Sequence, residues 1–283
     1  MTFPQGVALF IAAILAGALN SVAGGGSFIS FPTLLFTGVP SIAANATNTV
    51  ALWPGSLASI PPYRKDLTHE RRELVIFSII SVIGGVLGAI ILLGTPQTLF
   101  SAMVPWLLLI ATLIFAFGNN VAQWLRRRRA QAQDATVGAS VAVADETTDE
   151  DQGAEGSLTN ISRGALITVL IIQFIISLYG GFFGGGIGIM MLAGFALLGM
   201  RNIHAMNALK VVLASIINGV AIIAFAIAGK IFWPQALLMV VGSVIGGYGG
   251  AALAHLVPPK YVRWFAIAVG LIISAYFFIK QGV

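Results

Sequence analysis

Apolar residues run along this chain in blocks broken by a few short polar segments. Stretches without any Asp, Glu, Lys or Arg cover 1–63, 74–125, 164–200, 211–229 and 231–259. Most exceed the roughly 20 apolar residues that a helix needs to cross a bilayer's hydrocarbon. Runs such as Val75–Leu93 lack the alternation of a transmembrane β-barrel, so the pattern predicts an all-α polytopic membrane protein. The opening run of each half, Pro4–Thr37 and Gly164–Met200, is too long for one ordinary span and has a glycine cluster near its middle. Glycine and the nearby Pro32 are poor residues inside a helix, so both runs are expected to break into paired shorter helices. Further spans are expected at about 44–60, 74–93 and 98–124, then at 204–228, 231–256 and 261–279, for 8 to 10 segments in all.

Composition agrees with the pattern. Hydrophobic residues make up 58% of the 283 and charged ones 9%, against about 25% charged in soluble domains, and mean hydropathy is +0.94. With no cysteine, disulfides, thiolate metal sites and thiol catalysis are excluded. The net charge of +5 sits beside apolar segments, where it orients helices in a bilayer and gives no reason to expect nucleic acid. No Lys or Arg occurs in residues 1–20, so the first segment is expected to remain as a span and not to be cleaved as a leader.

One stretch reads as soluble. Residues 126–162 begin with Arg126, Arg127, Arg128 and Arg129 and continue through seven acids among Ala, Gly, Ser and Thr, too polar to offset the entropy of ordering. It is expected to be a disordered cytoplasmic linker between membrane repeats at 1–125 and 163–283. Those repeats share landmarks. Ser81–Ala89 matches Ser243–Ala251 at seven of nine positions, an offset of 162. At that offset Asn45 and Asn48 align with Asn207 and Lys210, and Pro96 with Pro258; Gly24-Gly25-Gly26-Ser27 aligns with Gly184-Gly185-Gly186-Ile187 at an offset of 160.

If each opening run is a single kinked crossing, eleven Lys and Arg fall on the linker side and three opposite. If each is a hairpin, the second half inverts, Arg201, Lys260 and Arg263 join the linker side, Lys230 and Lys280 leave it, and the division is twelve to two. The positive-inside rule favours inversion by that margin, and inverted halves with broken helices are a recurrent plan of secondary transporters.

All ten acidic residues lie between Asp66 and Glu155, in the first polar loop or the linker. Proton-coupled pumps and cation pathways usually carry acids inside the membrane, so both are disfavoured. Lys210 is the one basic residue well inside an apolar segment, and the partner that compensates a buried ammonium best here is an anion; snorkelling to lipid headgroups is the competing reading. Helices that restart after Gly24, Gly25, Gly26 and Ser27, and after Gly184, Gly185 and Gly186, present unpaired N–H groups to such an anion, with close helix packing as the competing reading. Asn20, Asn45, Asn48 and Asn207 are polar groups near these breaks, and each of the pairs 45/48 and 207/210 shares a helix face. Gly84-x-x-x-Gly88 and Gly246-x-x-x-Gly250 have no polar companions and read as packing motifs. No metal-ligand cluster and no nucleophile–base pair is suggested, so neither a cofactor nor an enzyme is expected.

The pattern Asn20-x-x-Ala23-Gly24-Gly25-Gly26-Ser27, with Gly38-Val39-Pro40 and Ala43-x-Asn45-Ala46-Thr47-Asn48, resembles the sulfite exporter TauE/SafE family of bacterial membrane transporters. Gly180-Gly181-Phe182-Phe183-Gly184-Gly185-Gly186-Ile187-Gly188 and Asn207-Ala208-x-Lys210 resemble its second signature. The resemblance implies a multi-pass plasma-membrane transporter that exports sulfite or organosulfonates. The expected partners are a small anionic substrate and the lipid bilayer, and a homodimer is compatible with the chain. Access to the site is expected to alternate by rocking one repeat against the other. An anion channel and a non-transporting scaffold subunit are the alternatives.

Overall fold

A computed structural model describes residues 1–22, 25–58, 71–118, 163–197, 200, 203–253 and 259–281. The charged stretch 126–162 lies outside them, as do Ala23 and Gly24. Ten helices and no strand occur among the described residues: α1 (Phe3–Val22), α2 (Ser27–Phe36), α3 (Ser41–Ala58), α4 (Arg71–Gly94), α5 (Gln97–Gly118), α6 (Arg163–Phe182), α7 (Ile187–Leu197), α8 (Ile203–Ile227), α9 (Trp233–Leu253) and α10 (Pro259–Gln281). Phe3–Asn20, α4, α5 and Ala205–Ile227 are long and apolar enough to span a bilayer. Stripes such as Ile167, Ile171 and Ile175 on α6 and Val75, Ile79, Val82 and Ile83 on α4 are exposed, as a lipid-facing surface requires. The chain is thus an all-α polytopic membrane protein.

Both opening runs break at their glycines, and each break is a hairpin. Gln5 Nε2 donates to the Thr37 carbonyl at 3.3 Å, which returns the end of α2 to the beginning of α1. In the second half Ile187 lies against Gly180, and Gly194 against Ile172 and Ile176, so α7 folds back along α6. The turns need glycine: Gly25 has φ +91°, Gly184 +80° and Gly186 +79°, a region where a Cβ is costly. Pro32 sits inside α2 without ending it, so the break belongs to the glycines alone.

Helix directions follow from long-range contacts. Gln97 Nε2 donates to Ser41 Oγ at 2.8 Å, and Ser41 and Ser101 hydroxyls lie 2.9 Å apart, so α3 and α5 start on the same face as α1. Helix α4 therefore runs the opposite way. Gly84 meets Phe174 and Ser177 while Gly88 meets Leu178 and Phe182, so α4 and α6 run parallel. Gly242 meets Phe10 and Ala13, Gly246 meets Ile14, and Gly17 meets Ser243 and Gly247, so α1 and α9 also run parallel. Helix α6 thus runs opposite to α1, whereas α9 runs with it.

Among the described residues, extensive close packing joins these two pairs, with α1 on α9 and α4 on α6. An ideal Cβ built on Gly17, Gly246, Gly88 or Gly181 would lie well inside contact distance of a backbone carbonyl oxygen of the facing helix. This is the small-residue packing expected of Gly84, Gly88 and Gly246, and it matters in hydrocarbon because association there depends on close van der Waals approach. A buried cluster of Gln173, Ser81 and Ser177 crosses α4–α6, with Gln173 Nε2 donating to Ser81 Oγ at 2.9 Å. At the centre α3 crosses α8, where Trp53 Nε1 donates to the Ser215 carbonyl at 2.9 Å.

Candidate functional site

The two hairpin turns and the two central helices converge on a cavity of about 420 Å³. Helices α3 and α8 contribute matching positions at the offset of 162: Asn48 with Lys210, Thr49 with Val211, Leu52 with Ala214, and Ser56 with Asn218. The turns add Gly25, Ser27 and Phe28 from one half and Gly184–Ile189 from the other. Asn20, Phe115, Phe183 and Asn207 complete the lining.

Lys210 enters this cavity from the second turn of α8. Its stem packs on Gly188, where an added Cβ would stand 3.2 Å from Lys210 Cδ, so glycine there leaves room for the lysine. The ammonium donates to Asn207 Oδ1 at 3.0 Å, and no carboxylate pairs with it among the described residues. Snorkelling therefore does not describe its position. At the turn before α7, the N–H groups of Gly185, Gly186, Ile187 and Gly188 have no acceptor among the described residues. They are the unpaired donors of a helix N-terminus, and all four residues line the cavity.

The first half is polar but already engaged. Asn48 Nδ2 donates to Ser27 Oγ at 3.3 Å, and Ser30 Oγ donates to Asn48 Oδ1. Thr49 and Ser56 hydroxyls donate back to the carbonyls of Asn45 and Leu52, so each offers lone pairs only. Asn20 and Asn218 make no side-chain hydrogen bond to a described residue. The inventory is thus one ammonium, several free N–H donors and no acidic oxygen.

Of the residues singled out from sequence, Asn20, Gly25, Ser27, Asn48, Gly184, Gly185, Gly186, Asn207 and Lys210 line the cavity together. Gly24 lies outside the described residues. Gly26 is not in the lining: it is buried where its Cα faces the Ala16 carbonyl, and serves packing between α1 and α2. Asn45 also stands apart, 2% exposed, with its Nδ2 donating to the Phe182 carbonyl at 3.1 Å, which ties α3 to the second hairpin. Asn45→Ala is accordingly expected to lower thermal stability by about 1 kcal/mol, the scale of an interhelical bond in a membrane, while leaving ligand affinity unchanged. Ligand titration beside thermal unfolding checks this, and a tenfold affinity loss would move Asn45 into the site.

Sequence reasoning missed Asn218 and the aromatic lining residues Phe28, Phe115 and Phe183. A signal for Asn218 existed, since Asn207, Lys210, Ala214 and Asn218 recur at helical spacing on one face. Ser56 reaches the cavity, whereas Trp53 turns to the α8 backbone and Tyr179, partly buried, packs against Phe183.

The chain is similar along its length to curated bacterial transporters. It is 26% identical to a "Probable membrane transporter protein" of Haemophilus influenzae, over 97% of this chain and 94% of that one. It is 25% identical to "Probable membrane transporter protein ORF9" of Sinorhizobium sp, over 94% and 89% of the two chains. With "Probable membrane transporter protein YfcA" of Escherichia coli K12 it shares 24%, over 94% and 87%. No solved structure gives a significant match. The family model described as "Sulfite exporter TauE/SafE" covers residues 9–277, and a helical membrane chain with this cavity at its centre therefore belongs to the TauE/SafE family of membrane transporters.

Proposed function

We propose that the protein is a secondary transporter that exports small sulfur-containing oxyanions, sulfite or organosulfonates, across the plasma membrane. One observation carries the reading: the central cavity holds a lysine and unpaired N–H groups with no carboxylate among its lining residues. In such a place an anion supplies the missing partner for a partly buried ammonium, and donors already fixed by the turns need no reorganisation to receive it. The substrate-binding roles fall to Lys210, Asn207, Asn218, Asn20, Ser27, Asn48, Gly25 and Gly184–Gly186. The halves are read as repeats of one ancestral unit, 1–125 and 163–283, because matched sequence positions meet at the cavity. Twelve of the fifteen Lys and Arg belong by sequence to segments at or between the helix ends opposite the start of α1, which makes that side cytoplasmic.

Alternating access takes a form other than the rocking of intact halves. Glycine-tight contacts bind α1 to α9 and α4 to α6, so the moving bodies are mixed bundles that meet where α3 crosses α8. The direct test is flux. Proteoliposomes carrying the purified protein are expected to move radiolabelled sulfite or methanesulfonate at least tenfold faster than protein-free vesicles, with saturation. Absence of flux for both anions in either direction, or single-channel currents in planar bilayers, would contradict a carrier of this kind.

A further inference from the structure

We propose that the cavity selects singly charged anions that carry an apolar group and discriminates against dianions. This rests on the transport reading and refines its substrate class. Three observations lead to it. The first is charge. Lys210 is the sole cationic side chain in the lining, and the position that matches it in the other half is Asn48, a neutral amide that Ser27 and Ser30 hold in place. A monoanion and one ammonium neutralise each other, whereas a dianion brings a second negative charge that no side chain of the cavity compensates. The partial positive charge at the start of α7 supports the first negative charge and is too small to pair fully with a second.

The second observation is the character of the remaining lining. Gly188, which makes room for the lysine stem, corresponds at the offset of 160 to Phe28. Phe28 meets Phe115 edge to face at 5.7 Å, and with Leu52 and Phe183 they form an apolar part of the lining. A wholly polar ion gains nothing from this surface. The third observation is size. The cavity measures about 420 Å³. An inorganic sulfur oxyanion displaces only a few waters of about 30 Å³ each and leaves most of that space unfilled. A head group held by Lys210, Asn207, Asn218 and the α7 amides, with a short hydrocarbon against Phe28 and Phe115, uses both parts of the lining.

The test is a binding comparison with sodium sulfate, methanesulfonate and butanesulfonate, read by thermal stabilisation of the full-length protein in detergent. Sulfate is expected to bind at least tenfold more weakly than methanesulfonate. Butanesulfonate is expected to bind more tightly by up to roughly fourfold per added methylene, the equivalent of about 0.8 kcal/mol each. Asn218→Lys places a second cation where no side-chain hydrogen bond is lost, and is expected to raise sulfate affinity at least tenfold relative to methanesulfonate. Sulfate binding as tightly as methanesulfonate in the wild type, or butanesulfonate binding more weakly than methanesulfonate, overturns the charge and apolar selection while leaving anion transport standing. Failure of all three anions to bind overturns the transport reading itself. The wild-type comparison decides even where Asn218→Lys does not fold.

Discussion

Lys210→Met is expected to reduce anion flux at least thirtyfold while leaving the protein as stable as the wild type, or more so. The two effects have one origin. Removing one partner of a buried, hydrogen-bonded charge pair costs about 2–5 kcal/mol of binding, and each 1.4 kcal/mol is tenfold. Without ligand, the ammonium has a single protein partner, Asn207 Oδ1, and no counter-charge among the described residues, so its burial is unfavourable and its loss is a relief. Methionine keeps an unbranched stem against Gly188, so the helix contact survives. Counterflow in proteoliposomes and thermal unfolding without ligand measure the two sides. A fully active Lys210→Met protein would remove the lysine from the mechanism, and a destabilised one would mean that Lys210 holds the fold together.

The second large effect is structural. Gly246→Ala is expected to cost about 3 kcal/mol or more, and to leave little folded protein in detergent, because the new methyl would occupy the space of the Ile14 carbonyl on α1. Overpacking usually costs 1–3 kcal/mol, and here the obstacle is backbone, which cannot move to another rotamer. The opposing gain in helix propensity is only about 1 kcal/mol, so the clash wins. Gly249→Ala, one turn along the same helix, meets nothing within 4 Å and is expected to be neutral or mildly stabilising. Fluorescence-detected size exclusion after heating separates them. Equal behaviour of the two variants would show that α1 and α9 do not approach as described.

Much of this was legible in the sequence because membrane insertion and helix breaking are local matters. Apolar length gives spans, and triglycine clusters in long runs give breaks. The lining positions were largely legible too, since a lone cation in an apolar segment and a polar group aligned with it in the other half are rare enough to stand out. What was not legible depends on the neighbour across the gap. Asn45 and Asn48 share a helix face, and only the placement of the Phe182 carbonyl decides that one ties hairpins together while the other faces the cavity. Gly25 and Gly26 are chemically identical, yet one carries the positive φ and the other admits the Ala16 carbonyl. The choice between hairpin and kink turned on contacts such as Gln5–Thr37, which charge counting weighed but did not contain. Eighteen phenylalanines spread through apolar runs give no local sign that Phe28, Phe115 and Phe183 would line one cavity.

The pairing of α1 with α9 and of α4 with α6 also bears on how the protein is made. Helix α1 packs its small-residue groove against α9, far along the chain, so after α1 enters the lipid that groove stays open until α9 has been made. Neither half is a self-sufficient product in that sense. Two genes encoding 1–125 and 163–283 would have to be expressed in the same cell for either polypeptide to escape quality-control proteolysis.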